Sequence, residues 1–270
     1  MAIDWIVLEL RAAHCRAEAW LNDIPLARVG FLQTTSEARP VNEFATQGRN
    51  ELRLVVNPGP RPSVARVRTA EPARAPDAAA IATLVRYRQG AVSGDGSGQV
   101  LATAAWTARE DGEPEPFPAE AVATADVTLP LGPWGFSTAP PLALGTELEA
   151  EVADVIGILS SGLAAGEPDA YFQLGVPSLQ ETARAYELSP DVGVETLRAV
   201  VAESRNEPHW SFPGVPRDQW DLRLVAGGRM VECIAADWEP ILRSVTGADG
   251  GAFDIPLYLG RLGGRLQVLR

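Results

Sequence analysis

Short segments of alternating apolar and polar residues dominate the first half of the 270-residue chain. In one of these segments Leu52, Leu54 and Val56 fall on one face of a predicted strand. This strand is predicted to end at residues 57–60, which contain two prolines. Further strands are predicted at residues 5–11, 14–20, 24–29, 64–68, 81–88, 100–106 and 121–129. Because short strands at this spacing are typical of two packed antiparallel sheets, residues 1–142 are predicted to form a β-sandwich.

The apolar repeat changes from two residues to three or four near residue 143. The new stripe consists of Leu148, Val152, Val155, Ile156, Leu159 and Leu163. This spacing puts all these side chains on one face of an α-helix. Thr146 and Glu149 have the spacing of a capping box at its start, and Ser178 and Glu181 predict a second helix in the same way. Ser189, which is followed by proline, predicts the N-cap of a third helix.

Strands return after residue 220, where two pairs of glycines predict hairpins with two-residue turns, Gly227-Gly228 and Gly263-Gly264. The predicted cross-strand pairs are Leu222–Cys233, Leu224–Val231, Arg223–Glu232 and Leu259–Val268. Residues 143–270 are therefore predicted to form a second, α+β domain in which helices precede a curved antiparallel sheet. The fold class of the whole chain is mainly β plus α+β, and one large domain is the alternative.

Two parts of the chain resemble known fold families. Residues 19–26 and 48–56 resemble the "W-x-N-G" and "G-x-N-x-L-x-V" strands of the galactose-binding-like β-sandwich, with Asp23 in place of the usual glycine. Residues 260–268 resemble the "G-R-x-x-G-x-W-x-V" ending of the cystatin-like cone of the nuclear transport factor 2 superfamily, with Leu266 where an aromatic residue is common. Each resemblance implies a fold but no single function, because both folds carry many.

The charge balance excludes several classes of partner. Arginine supplies all 23 basic residues, against 35 acidic ones, so the net charge is −12. A phosphate backbone or an anionic lipid surface is bound through clustered positive charge, and neither nucleic acid nor membrane is therefore expected as a partner. The composition is typical of high-GC bacterial genes. No secretory signal is visible at the start of the sequence, and the cytoplasm is the expected location.

Residues that commonly bind metals are scarce. The chain has two histidines and two cysteines. His14 and Cys15 are adjacent, so on a strand they would point to opposite faces. Because a structural zinc site needs four such ligands at set spacings, no metal site and no cofactor are predicted. Cys15 and Cys233 are predicted to be free thiols.

The densest run of polar and aromatic residues lies between the helices and the returning sheet, at residues 209–221. It supplies the candidate ligand-binding residues, which are His209, Trp210, Asp218, Trp220 and Asp221. In a cone fold this segment lies near the mouth of a pocket, where aromatic side chains with histidine and aspartate can hold a small molecule. A structural loop anchored by its tryptophans is the alternative interpretation.

The leading functional hypothesis is a non-catalytic bacterial protein that binds a small molecule or a protein partner. The alternative is a hydrolase or isomerase that uses His209 with Asp218 or Asp221 for acid–base chemistry in a pocket of the C-terminal domain. The net charge also favours a basic protein partner. Sugar binding by Trp20 of the sandwich, and assembly into a homodimer, remain open.

Overall fold

The computed structural model describes residues 3–30, 35–64, 69–71, 77–88, 91, 96–108, 115–206, 210–245 and 253–270. The chain divides into two compact units. The first comprises Met1–Trp134 with Ala185–Glu187, and the second comprises Gly135–Arg184 with Leu188–Arg270. Antiparallel strands form the first unit, and helices followed by antiparallel strands form the second, which confirms the predicted mainly β and α+β class. The domain boundary after residue 142 stays a prediction.

Two four-stranded antiparallel sheets form the first unit. Its strands are β1 (Trp5–Ala13), β2 (Ala17–Leu21), β3 (Ile24–Val29), β4 (Ser36–Pro40), β5 (Gly48–Val56), β6 (Thr69–Glu71), β7 (Ala79–Tyr87), β8 (Gln99–Thr107), β9 (Glu115–Phe117) and β10 (Ala119–Val127). One sheet has the order β4-β1-β7-β8, the other has the order β10-β5-β2-β3, and β6 pairs with β9. Leu8 and Leu84 of the first sheet and Leu21 and Leu54 of the second are fully buried, as expected for the core of a sandwich.

Of the strands predicted in this unit, one begins later than expected and one lies mostly outside the described residues. The strand predicted at residues 14–20 begins only at Ala17, because His14 has a left-handed backbone (φ 57°) and turns the chain between β1 and β2. The strand predicted at residues 64–68 falls mostly outside the described residues, and Val64 itself ends a short 3₁₀ turn.

The two segments that resemble the galactose-binding-like sandwich lie side by side. Asn22 and Asp23 both have positive φ, at 53° and 63°, and form the tight turn between β2 and β3. The Asn22 Nδ2 atom donates to Asn50 Oδ1 at 2.8 Å and to the Phe44 carbonyl at 2.9 Å. Asn22 Oδ1 accepts from the Glu51 amide at 3.1 Å, so this asparagine ties the turn to β5.

The helices of the second unit come before its sheet. They are α1 (Gly135–Thr138), α2 (Thr146–Ala164), α3 (Asp169–Leu174), α4 (Val176–Ala185) and α5 (Pro190–Ser204). The predicted long helix is confirmed, but its capping box is wrong, because Gly145 is the N-cap and no side chain caps this end. Ser178 lies inside α4 and does not begin it. The Ser189 cap is confirmed, since Ser189 Oγ accepts from the Asp191 amide at 3.4 Å.

A four-stranded antiparallel sheet follows the helices. Its elements, with one short additional pair, are β11 (Trp220–Val225), β12 (Met230–Ala235), β13 (Leu242–Arg243), β14 (Asp254–Ile255), β15 (Leu257–Leu262) and β16 (Arg265–Val268). The order is β11-β12-β15-β16, and β13 pairs with β14. All four predicted cross-strand pairs are confirmed. The β15–β16 hairpin has the predicted two-residue turn. In the β11–β12 hairpin the last paired residues are Val225 and Met230, so its loop has four residues, 226–229.

The stripe of α2 packs against one face of this sheet. Leu159 and Leu163 are 1 % exposed and belong to one apolar cluster with Val231, Leu259 and Val268. Cys233 lies in the same cluster. Helix α2 and one face of the sheet therefore share a single apolar core. The side chains on the opposite face of the sheet lie outside this core. Over the described part of the chain, no helix is long and apolar enough to cross a membrane.

Candidate functional site

The predicted binding segment begins outside the described residues, at His209, and continues with two well-placed aromatic side chains. Trp210 Nε1 donates to the Leu163 carbonyl at 3.0 Å. Its ring lies 5.1 Å from that of Phe212 and 5.2 Å from that of Phe253, measured between centroids. These contacts anchor Trp210 at the edge of the apolar cluster between α2 and the sheet.

The other predicted residues of this segment lie in different surroundings. Asp218 is exposed in a 3₁₀ turn. Trp220 Nε1 donates to the Val215 carbonyl at 2.7 Å, and its ring packs against the apolar cluster. Asp221 is 4 % exposed and, as the next residue of β11, points to the opposite face of the sheet. Trp220 and Asp221 are thus not brought together, and a shared ligand site at residues 209–221 stays a prediction.

The face of the sheet that Asp221 occupies carries a buried polar row. Arg223, Glu232 and Tyr258 are adjacent across β11, β12 and β15. Arg223 Nε donates to Glu232 Oε2, and the Tyr258 hydroxyl donates to Glu232 Oε1 at 3.4 Å. The Arg223 guanidinium also lies over the Trp238 ring, 5.7 Å from its centroid. All of these side chains are buried, so the row is not an accessible binding surface.

An open groove with cationic and hydroxyl groups lies in the first unit, where β1 ends and β4 begins. It has a volume of about 630 Å³ and is lined by Arg11, Ala12, Ala13, His14, Thr35 and Ser36. The strand register places Arg11 directly opposite Ser36. No described residue forms a hydrogen bond or ion pair with the Arg11 side chain, which is exposed. Within the described part of the chain, none of the five N–H donors of this guanidinium is used.

His14 supplies the second nitrogen-bearing side chain of the groove. The turn at its positive φ takes it out of the sheet, and its Nε2 atom lies 3.4 Å from Asp77 Oδ2. A carboxylate at this distance orients the imidazole ring. The hydroxyl groups of Thr35 and Ser36 can add neutral hydrogen bonds. Guanidinium, imidazole and hydroxyl groups in one groove are suited to recognising an oxyanion.

The two thiols are not suited to nucleophilic chemistry. Burial raises the pKa of Cys15, although hydrogen bonds with the backbone of Ala13 and Ala79 lower it in part. Burial raises the pKa of Cys233 much further, and the neighbouring Glu232 raises it again. Because the thiolate is the reactive form, both side chains are expected to be poor nucleophiles in the folded protein.

Thiol titration tests the expected low reactivity of Cys15 and Cys233. With a chromogenic disulfide reagent at mildly alkaline pH, the native protein is expected to react slowly at Cys15 and not at Cys233. Both thiols should react once guanidinium chloride unfolds the chain. The Cys15→Ser variant isolates the signal of Cys233. Two rapidly reacting thiols in the native protein would contradict the burial seen here.

Sequence reasoning missed the Arg11 groove for a local reason. Alternation predicts His14 and Cys15 on the two faces of one strand, whereas the structure puts His14 in a turn. The partner of His14, Asp77, is distant in sequence and no spacing rule connects the two. The described residues contain no group of three or more His, Cys, Asp or Glu side chains that could hold a metal ion.

The chain is thus a two-unit, β-rich α+β protein whose first unit has an open groove beside Arg11 and His14. Comparison with protein-family models, curated proteins and solved structures finds no match for this chain. Neither of the two superfamilies that the sequence resembles is therefore supported by a relative.

Proposed function

We propose that this protein is a non-catalytic binding protein, and that the Arg11 groove holds a small ligand with a phosphate-like oxyanion. The observation that carries the proposal is the Arg11 guanidinium, which makes no intramolecular hydrogen bond with a described residue and shares the groove with His14. A volume of about 630 Å³ lies within the usual range for small-molecule sites.

The physical basis is charge and geometry. A guanidinium presents a planar set of donors that matches two oxygen atoms of an oxyanion. His14 Nε2 lies 3.4 Å from Asp77 Oδ2, and Ser36 pairs directly with Arg11 across β4 and β1.

Titration with inorganic phosphate, followed by NMR or calorimetry, tests the proposal. The Arg11→Met variant is expected to weaken phosphate binding roughly ten- to hundred-fold, because a charge-assisted hydrogen bond contributes about 1.5–3 kcal/mol. His14→Gln should weaken it by a smaller factor.

Arg49→Met is the matched control. Arg49 is an exposed arginine of the same unit, and its loss changes the net charge by the same amount. Phosphate affinity should be nearly unchanged in this variant. An equal loss in Arg11→Met and Arg49→Met would show that only overall charge matters, and unchanged affinity in Arg11→Met would refute the site.

A further inference from the structure

A second and more enclosed cleft lies in the first unit, near the start of β1. It has a volume of about 140 Å³. Its apolar lining consists of Ile6, Leu101, Val127 and Leu129. Ile6, Val127 and Leu129 are almost completely buried, so the cleft reaches the edge of the sandwich core. An apolar wall of this kind stabilises the hydrocarbon part of a ligand.

The polar wall of the cleft is organised by the strand register. Arg86 of β7 is opposite Ile6 of β1 on one side and Gln99 of β8 on the other. Arg86 Nε donates to Asp4 Oδ2 at 2.7 Å, and Arg86 Nη1 lies 3.4 Å from Thr128 Oγ1. These contacts hold the guanidinium in place at the cleft, while its Nη2 group bonds to no described residue.

We propose that this cleft binds a short-chain monocarboxylic acid, with the carboxylate on Arg86 and the alkyl chain against the apolar wall. The Nη2 group of Arg86 can donate a charge-assisted bond to a carboxylate oxygen, and Gln99 and Thr128 can add neutral bonds. Because drug-sized ligands occupy about 300–1,000 Å³, a cleft of about 140 Å³ selects a ligand of only a few carbon atoms.

The charges around the cleft favour one negative charge over two. Asp4 already balances Arg86, and Asp126 also lines the cleft. A monocarboxylate adds one negative charge beside these carboxylates, whereas a dianion such as phosphate adds two and is repelled more strongly. The ligand of this cleft therefore differs in class from the oxyanion of the Arg11 groove, and the two sites are independent.

A titration series with acetate, propionate, butyrate and hexanoate, monitored by NMR, tests the inference. Affinity is expected to rise about four-fold with each added methylene until the cleft is full, and then to fall. An excess of inorganic phosphate should not displace butyrate. Equal affinity for all four acids, or displacement by phosphate, would show that the cleft recognises charge alone and would overturn the inference.

Two variants locate the site. Leu101→Phe is expected to fill the cleft and to reduce butyrate affinity at least ten-fold while the Arg86 contacts remain. Arg86→Gln should abolish binding, and near-ultraviolet circular dichroism checks that the unit stays folded without the Asp4 ion pair. Arg88→Gln, which removes an exposed arginine from the same region, is the matched control and should bind butyrate normally. Unchanged affinity in Leu101→Phe would refute the site even if Arg86→Gln failed to fold.

The same variants separate this inference from the proposed function. Arg11→Met should leave butyrate binding unchanged, and Leu101→Phe should leave phosphate binding unchanged. Loss of both ligands in either single variant would show that the two clefts are not the sites of recognition.

Discussion

Replacing Glu232 by alanine is expected to lower the free energy of unfolding of the second unit by about 3–5 kcal/mol. Glu232 is 3 % exposed and accepts from Arg223, which is 6 % exposed. Without this carboxylate, the buried Arg223 guanidinium loses a charged partner, and the Tyr258 hydroxyl loses an acceptor. Urea unfolding followed by tryptophan fluorescence measures the effect, and the transition of the second unit should move to lower urea concentration.

Two further variants show whether the loss comes from breaking this buried ion pair. Combining Glu232→Leu with Arg223→Met removes both charges and should restore most of the stability, because apolar side chains of similar size often replace a buried ion pair without loss. Arg198→Met breaks an ion pair with Asp169 in which both side chains are more than half exposed, and should cost less than about 1 kcal/mol. Equal losses for the buried and the exposed pair would contradict this explanation.

Replacing Asn42 by alanine is expected to destabilise the first unit by roughly 2–4 kcal/mol, since each buried group left unpaired costs about 1–3 kcal/mol. Asn42 is fully buried. Its Oδ1 atom accepts from the Ile6 amide at 2.6 Å, and its Nδ2 group donates to the carbonyls of Asp4 and Ala185 at 3.0 and 3.1 Å. The side chain thus joins the start of β1 to a segment from much later in the chain.

Hydrogen exchange identifies the cause of that loss. The Ile6 amide should exchange faster in Asn42→Ala, because its acceptor is gone. Asn42→Asp keeps the acceptor but not the two donors, and should retain more of the protection at Ile6. Gln47→Ala removes an exposed amide side chain and should change stability by less than about 0.5 kcal/mol. A comparable loss in Gln47→Ala would contradict the role of the buried amide.

The hairpins of the second unit show which features local sequence can predict. The pairing of Arg223 with Glu232 and of Leu259 with Val268 follows from alternation on either side of a glycine pair. A slip of one residue would expose the apolar face, so the register is determined by neighbouring residues. The turn itself was less predictable, because the first hairpin adds Ala226 and Arg229 to its loop without changing the register.

Helix ends and binding residues were harder to predict, because they depend on geometry that no spacing rule contains. Thr146 and Glu149 have the right spacing for a capping box, yet the helix begins one residue earlier than that motif requires. The segment around Trp220 is conspicuous in sequence, but its indole packs against the core. No local pattern indicates a binding role for Arg86, because its partner Asp4 is 82 residues away in the sequence.

The sequence alone determined the positions of most strands, the long helix α2 and the pairing of both hairpins, because a two-residue or 3.6-residue repeat and a glycine turn act over only a few neighbouring residues. Only the tertiary structure decided which polar groups meet. Asn42 with Ala185, His14 with Asp77 and Arg86 with Asp4 come together through sheet order and packing. Burial of the apolar faces drives that packing without directional preference, so the partners of each polar side chain are set only when the whole unit has assembled.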